Sequence, residues 1–181
     1  MSEACGVEIR EFQSRGCLNL RGDAHDPTFI DAVSTAASVT LPTEPCSWNS
    51  GFGSSAYWLG PDEWFLIAVD GEQPRVERQL REAVRGPLSV VDVTGGFIHV
   101  NLAGGDAGKV LQKSSPYDFH PRNFPPGRCV QTVFAQATAL VAAAEDGSFD
   151  LVFRRSYADY LGRWIADAAE EYGFAVRQAT D

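Results

Sequence analysis

The sequence predicts an α+β protein built from two β-α-β-type (ferredoxin-like) lobes packed together, and three observations support this prediction. The 181-residue chain is 44% hydrophobic and 22% charged, as is ordinary for a globular protein with a buried core. Strand-like alternation and helix-like spacing of apolar residues follow one another in each half of the chain. Residues 18–24 (LNLRGDA) also resemble residues 100–107 (VNLAGGDA). We therefore expect one lobe over residues 1–90 and a second over residues 91–181.

The first half contains two predicted strands followed by a predicted helix. Residues 7–9 and 18–20 alternate apolar and polar side chains, as half-buried strands do. Asp26 and Pro27 suit the cap and the first turn of a helix, because a side-chain acceptor is useful there and a missing N–H costs nothing. Residues 41–55 contain two prolines and two glycines, so we expect a long irregular loop.

The rest of the first half predicts a hairpin and a second helix. Residues 57–59 and 63–69, which are apolar except for Glu63, flank Gly60-Pro61-Asp62, where proline sets the φ angle of a turn. Residues 75–85 have an amphipathic helical pattern, and Glu77 and Arg81 form a favourable pair one turn apart.

The second half predicts a similar order of elements. We expect strands at residues 89–93, 97–102, 129–143 and 149–153, a short helix capped by Asp106, and a rigid loop over residues 120–127. A longer helix begins at Ser156 and ends at Gly173. Its spacing places five apolar residues on one face: Tyr160, Leu161, Trp164, Ile165 and Ala168.

The charge of the chain bears on its partners. Fifteen basic and 24 acidic residues give a formal net charge of −9. Nonspecific binding to nucleic acid or anionic membranes relies on basic patches, so neither is an expected partner. No apolar run approaches the ~20 residues of a membrane-spanning helix.

The cysteines predict a reducing environment. None of the four lies in a CxxC pair, and residues 1–10 include charged side chains where a secretory signal would be apolar. Although four cysteines are enough for two disulfides, we expect free thiols in a cytoplasmic protein. Cys17 and Cys129 are expected to pack in or beside strands as small apolar residues.

Two apparent motifs have simpler explanations. Residues 51–56 match GxGxxA, but a dinucleotide site requires a preceding strand and a following helix, and neither is predicted there. His25 lies beside Asp23 and Asp26, which suggests either a proton-transfer cluster or a polar turn that caps the next helix; we favour the turn. His99 is expected to be an exposed or hydrogen-bonded strand residue. No histidine spacing typical of a metal site is present, so no metal site is predicted.

Five segments together resemble the gamma subunit of heterotetrameric sarcosine oxidase. They are residues 58–64 (WLGPDEW), 92–96 (DVTGG), 118–121 (DFHP), 124–129 (FPPGRC) and 154–160 (RRSYADY), and their order and spacing extend the resemblance over nearly the whole chain. The resemblance implies a two-lobed fold similar to the folate-binding domain of aminomethyltransferases (T-protein).

The same resemblance implies a role in sarcosine catabolism and one-carbon metabolism. It implies a complex that demethylates sarcosine oxidatively to glycine, with hydrogen peroxide and 5,10-methylenetetrahydrofolate as products. The implied partners are alpha, beta and delta subunits, with NAD, FAD, FMN, zinc and tetrahydrofolate bound on those subunits. The chain itself is then a noncatalytic subunit of an oxidoreductase complex, without a catalytic, metal or cofactor site of its own.

One further segment suggests a second class of function. Residues 111–118 (LQKSSPYD) resemble an aminomethyltransferase segment that ends in Asn-Asp, whose aspartate works at the folate. Asp118 occupies that position as a vestigial folate-site residue, but Tyr117 replaces the asparagine. The simpler explanation is a loop aspartate that accepts bonds from nearby N–H groups. The alternatives are a stand-alone folate-binding or aminomethyltransferase-like protein, and a subunit of a related complex that demethylates dimethylglycine or N-methylglutamate.

Overall fold

The computed structural model describes residues 5–12, 15–69 and 71–179, which form two compact units. One unit contains residues 5–12 and 96–179, and the other contains residues 15–69 and 71–95. Each unit has one β-sheet and a pair of helices, so the predicted α+β class is confirmed.

The strands in chain order are β1 (Val7–Phe12), β2 (Gly16–Arg21), β3 (Trp48–Gly51), β4 (Ser54–Gly60), β5 (Glu63–Ala68), β6 (Ser89–Asp92), β7 (Phe97–Ala103), β8 (Cys129–Phe134), β9 (Ala137–Ala143), β10 (Phe149–Arg154) and β11 (Phe174–Ala179). The helices are α1 (Pro27–Ala37), α2 (Gln73–Ala83), α3 (Ala107–Ser114) and α4 (Ala158–Ala169). Within the described ranges, no helix has the length and apolar character needed to cross a bilayer.

The unit of residues 15–95 is a ferredoxin-like β-α-β-β-α-β arrangement with one additional strand. Its sheet has the order β3-β4-β5-β2-β6, in which β2, α1, β4, β5, α2 and β6 follow the ferredoxin-like path and β3 extends one edge. The alternating residues Leu18 and Leu20 of β2 and Trp64 and Leu66 of β5 are buried in one cluster with residues of both helices. The period of two in each strand therefore places one apolar face of the sheet in this core.

The other unit follows the same path and includes a strand from the start of the chain. Its sheet has the order β11-β1-β7-β10-β9-β8, with the ferredoxin-like path through β7, α3, β9, β10, α4 and β11. β8 extends one edge, and β1 lies between β11 and β7, parallel to the former and antiparallel to the latter.

The observed units differ from the predicted lobes in two respects. Residues 5–12 belong with residues 96–179, and the predicted boundary at residue 90 falls inside β6, before the observed division at residues 95 and 96. Alternation identified residues 7–9 as a strand, but a local pattern carries no information on which distant strand pairs with it.

Four strands were not predicted as separate elements. β3 lies within the predicted loop 41–55, and β11 follows the predicted stop at Gly173. The predicted strand 129–143 is a hairpin of β8 and β9, which turns at Ala135 with a φ of 53°. That turn contains no glycine, proline, asparagine or aspartate, so it carries none of the usual sequence signals.

The two predicted helix caps have different outcomes. Asp26 caps α1 as expected, since its Oδ1 accepts a hydrogen bond of 2.9 Å from Thr28 N. Asp106 occupies the N-cap position of α3 as predicted, but its side chain makes no capping bond and instead forms an ion pair of 2.7 Å with Lys109.

Candidate functional site

Residues of the hairpin motif 58–64 form hydrogen bonds that connect segments of their own unit. Trp64 is fully buried, and its Nε1 donates to Pro42 O at 2.7 Å. The neighbouring Glu63 accepts hydrogen bonds from Asn19 Nδ2 at 2.7 Å and from Arg21 Nη2 at 2.6 Å. Both donors lie on β2, so these motif residues connect β2 to β5.

The motif of residues 92–96 forms a hydrogen-bond junction. Asp92 Oδ1 accepts from Thr94 N at 2.9 Å and from Thr94 Oγ1 at 2.5 Å. Thr94 Oγ1 in turn accepts from Cys17 N and from Gln73 Nε2, each at 3.0 Å. This one hydroxyl therefore links the end of β6 to β2 and α2.

The motifs between residues 117 and 129 form an aromatic cluster within the loop before β8. Phe119 and Phe124 are buried, and their ring centroids are 5.1 Å apart. Tyr117 packs against Phe119 at the same centroid distance. These rings belong to the core of their unit, so this loop is anchored on both sides of Asp118.

The two carboxylate oxygens of Asp118 accept hydrogen bonds from its own loop. Oδ1 accepts from His120 N at 3.0 Å, and Oδ2 accepts from Asn123 Nδ2. These bonds hold the pKa of Asp118 below its ordinary value, so the exposed side chain is ionised at neutral pH. This geometry is that of a loop-capping aspartate, and a role at folate stays a prediction.

The structure distinguishes the three histidines. His25 lies in a polar turn, where its backbone N donates to Asp23 Oδ1 at 2.8 Å, as the favoured interpretation predicted. His120 Nδ1 accepts from Arg122 N at 3.2 Å in the loop beside Asp118.

His99 lies in a strand as expected, but it is buried and neither ring nitrogen forms a hydrogen bond with a described residue, so both the exposed and the hydrogen-bonded alternatives are wrong. Only 7% of its surface is accessible, and its ring stacks on Phe12 with centroids 4.3 Å apart. Nε2 lies 3.2 Å from Asp150 Oδ1 but outside hydrogen-bond alignment, and no described residue forms a hydrogen bond with Nδ1. The alternation of apolar and polar residues predicted the strand that contains His99. It did not indicate that the His99 side chain is buried.

The cysteines pack as expected. Cys17 and Cys129 are buried in β2 and β8, and none of the four cysteines forms a disulfide in the part of the chain that the structure describes. Burial, reinforced by the nearby Asp92 charge, raises the pKa of Cys17 to about 12, so this side chain is an unreactive thiol at neutral pH. Residues 5–12, 15–69 and 71–179 contain no group of three or more His, Cys, Asp or Glu side chains arranged to hold a metal ion.

A groove of about 610 Å³ opens beside the hairpin motif. Its charged lining includes Arg21, Asp23 and Asp62. Arg21 already pairs with Glu63 and lies 3.5 Å from Asp62, so its guanidinium is neutralised within the chain. The groove therefore offers no strong binding charge for an anionic ligand.

Two aromatic residues of α4 are partly exposed. Tyr160 and Trp164 remain 38% and 36% accessible, whereas Leu161, Ile165 and Ala168 are buried. Three of the five residues of the predicted apolar face are therefore buried, and the two aromatic residues are partly exposed. Tyr160 and Trp164 line a groove of about 680 Å³ together with Asp159, Arg163 and Asp167, and we call these five residues the α4 surface.

Comparisons with known proteins identify the family. The family model described as sarcosine oxidase, gamma subunit family matches residues 21–171. The gamma subunit of sarcosine oxidase from Corynebacterium sp. (strain U-96) is 34% identical over 171 residues, which are 93% of this chain and 82% of that protein. A gamma subunit from Corynebacterium sp. (strain P-1) is 32% identical over 94% of this chain and 84% of its own length.

Solved structures agree with this assignment. The structure of heterotetrameric sarcosine oxidase from Corynebacterium sp. U-96, in complex with pyrrole 2-carboxylate, contains a similar chain. The TM-score is 0.82 at 30% identity, over 96% of this chain and 88% of that one. Aminomethyltransferase T of the glycine cleavage system from Bartonella henselae shares the fold, with a TM-score of 0.66 at 10% identity over 95% of this chain and 48% of that one. On the family match and these identities, the chain belongs to the sarcosine oxidase gamma subunit family.

Proposed function

We propose that this chain is the gamma subunit of a heterotetrameric sarcosine oxidase. The observation that carries the proposal is the likeness to a chain of the heterotetrameric enzyme from Corynebacterium sp. U-96, with a TM-score of 0.82 over 96% of this chain. The proposed partners are alpha, beta and delta subunits. The likeness of the chain to gamma subunits supports these partners, and the exposed α4 surface offers one place for contact.

The proposed complex demethylates sarcosine. Sarcosine, tetrahydrofolate and O₂ are converted to glycine, 5,10-methylenetetrahydrofolate and H₂O₂, so the methyl carbon is oxidised and transferred while O₂ is reduced. NAD, FAD, FMN, zinc and tetrahydrofolate are proposed to bind on the partner subunits.

Within the complex we propose a noncatalytic role for this chain. The residues of its family motifs are engaged in their own fold: Trp64 bonds to Pro42, Thr94 links three elements, and Asp118 caps its own loop. Each carboxylate oxygen of Asp118 already accepts a hydrogen bond from a donor of its own loop. These contacts support a structural subunit over an independent folate-dependent transferase.

The experiment compares the isolated chain with the coexpressed complex. We expect the purified chain to be colourless and metal-free and to show no sarcosine-dependent H₂O₂ formation, whereas the complex shows flavin absorbance and oxidises sarcosine. Absorption spectra, metal analysis and a peroxide assay measure these properties. Stoichiometric flavin or zinc on the isolated chain would contradict the noncatalytic role. Preference of the complex for dimethylglycine or N-methylglutamate over sarcosine would assign it to a related demethylating system.

A further inference from the structure

His99 of β7 lies beside Asp150 of β10 on one face of the six-stranded sheet. In the strand register, Asp150 is two residues before Val152, which is the residue paired with His99. His99 and Asp150 are therefore diagonal neighbours, which is a separation that long side chains can bridge. The distance from Nε2 to Oδ1 is 3.2 Å, and the two side chains are 7% and 14% accessible. An imidazole and a carboxylate thus lie close together where water is largely excluded.

Neighbouring side chains hold both groups in position. The His99 ring stacks on Phe12, with centroids 4.3 Å apart and an angle of 20° between the ring planes. Asn101 Nδ2 donates to Asp150 Oδ1 at 2.9 Å and to Ser148 Oγ at 3.0 Å. The carboxylate oxygen next to His99 Nε2 is therefore held there by an amide of β7.

The two ring nitrogens of His99 are buried, and no described residue forms a hydrogen bond with either. A neutral imidazole has one N–H donor and one acceptor, and leaving such groups buried and unpaired costs free energy. A purely apolar ring stacked on Phe12 would avoid this cost. A protonated ring has two N–H donors and a charge opposite to that of Asp150, so proton uptake supplies the pairing that the neutral ring lacks.

The other charged side chains on this face have partners of their own. In the described strands of the sheet, alternation places four of them there: Glu8, Arg10, Arg154 and Arg177. Glu8 contacts the neighbouring arginines of β1 and β11 at 2.9 and 3.0 Å. Arg154, at the last position of β10, lies over the Phe97 ring, 5.3 Å from its centroid. Among the described residues, Asp150 is the one carboxylate within 4 Å of a His99 ring nitrogen.

We propose that His99 and Asp150 form a proton-operated link between β7 and β10. The neutral ring is unpaired. When the ring takes up a proton, Nε2–H donates to Asp150 Oδ1, and the imidazolium and the carboxylate form an ion pair that connects the two middle strands of the sheet. Histidine is the side chain whose charge ordinarily changes just below neutral pH, so the link responds to mild acidification. The inference concerns this chain alone and does not depend on the proposed function.

Asp150→Asn in the full-length chain tests the link, because it removes the charge and keeps the size of the side chain. Without the carboxylate, a buried ring takes up a proton less readily than the exposed histidine of the unfolded chain, so falling pH favours unfolding of the variant. From pH 7.5 to pH 5.5, the unfolding equilibrium constant of the variant, divided by that of the unchanged chain, should rise about tenfold, as expected for an unfolded histidine with an ordinary pKa of about 6.5. Urea denaturation at the two pH values measures this ratio.

His99→Phe is the matched control, since it keeps a ring beside Phe12 and removes the nitrogens that bind protons. In that background, Asp150→Asn should change the unfolding equilibrium constant by the same factor at pH 7.5 and at pH 5.5. This constant factor reports the other bonds of Asp150, including the one from Asn101. If His99→Phe does not fold, His99→Gln serves as the control in its place.

Nuclear magnetic resonance of the ring nitrogens gives a second, direct measurement on the folded unchanged chain. We expect His99 to be an imidazolium at pH 5.5, with its Nε2–H bonded to a carboxylate. A neutral His99 ring at pH 5.5 would overturn the inference. So would a ratio of equilibrium constants that is the same at the two pH values, or a dependence on pH that persists when His99 is replaced.

Discussion

Thr94 connects three elements through one hydroxyl group. Its Oγ1 accepts from Cys17 N and Gln73 Nε2 and donates to Asp92 Oδ1. Replacing this hydroxyl by a methyl group of similar size leaves two donors without their acceptor, in a region shielded in part from water. The residue therefore matters for the free energy of unfolding.

Thr94→Val should lower the free energy of unfolding by about 1–3 kcal/mol, the usual cost of leaving buried polar groups unsatisfied. Urea denaturation of the two proteins measures this difference. Thr94→Ser keeps the hydroxyl and is the matched control, with most of the stability expected to remain. Equal stability of Thr94→Val and the unchanged chain would show that water replaces the lost acceptor.

Asp146 makes the free energy of unfolding depend on pH. Its Oδ1 accepts from Ser148 Oγ at 2.6 Å and from Ser148 N at 3.0 Å, and these bonds hold the pKa of Asp146 below the ordinary 3.8. Because the folded-state pKa is lower than the unfolded one, the ionised form stabilises the fold. This contribution is complete above the unfolded pKa and is lost as pH falls through the folded one.

Asp146→Asn should therefore be less stable than the unchanged chain at about pH 7, and the difference should shrink toward zero at about pH 2. The free energy of unfolding in urea, measured at several pH values, tests this expectation. Asp31→Asn, at an exposed position on α1, is the control and should follow the unchanged chain throughout. A difference that is the same at both ends of the pH range would show that the charge of Asp146 plays no part.

Individual residues were predictable where the cause is local. The cap formed by Asp26 and the turn at His25 depend on groups two residues away, so sequence was sufficient. The burial of His99 depends on tertiary packing, which no spacing reveals. The exposure of Tyr160 and Trp164 is a similar case, because spacing gives the direction of a helical face but not how much of it is covered.

At the scale of elements, the position of β1 in its sheet leads to a testable prediction. It lies between β11 and β7, and its residues Val7 and Ile9 are buried in the core of that unit. In the register with β11, Ile9 is paired with Val176, which is 63% accessible. Two adjacent apolar residues on paired strands therefore have very different surroundings.

Ile9→Ala should lower the free energy of unfolding by about 2–5 kcal/mol, because it removes buried methyl groups and leaves a cavity. Val176→Ala, at the paired position on the edge strand, should change it by no more than about 0.5 kcal/mol. Urea or thermal denaturation of both variants measures the contrast. Equal effects of the two substitutions would contradict the placement of β1 within the sheet.

Most helices and strands were predictable from the period of their apolar residues, including α1, β5 and α2. The length and composition of the remaining elements explain why the sequence did not predict them. β3 is four residues long, and β8 and β9 are separated by a turn without the usual turn residues. β11 follows a glycine that ends the preceding helical segment, and the short pattern after it was not distinctive.

At the scale of the whole molecule, the family was recognisable because five short segments occur in one order. The structure explains what several of these segments do, since the residues of 58–64 and 92–96 hold strands together and those of 118–129 anchor a loop. A sequence resemblance of this kind therefore reports a shared fold.

Copurification tests the central claim most directly. The full-length chain, carrying the only affinity tag, is coexpressed with the alpha, beta and delta subunits of the same organism, and the stoichiometry of the purified material is measured by size-exclusion chromatography with light scattering. We predict that the chain recovers those subunits at one-to-one stoichiometry, with flavin absorbance present in the complex and absent from the chain alone. The contradicting result is a chain that stays monomeric beside those subunits and binds tetrahydrofolate by calorimetry in a manner that Asp118→Asn abolishes.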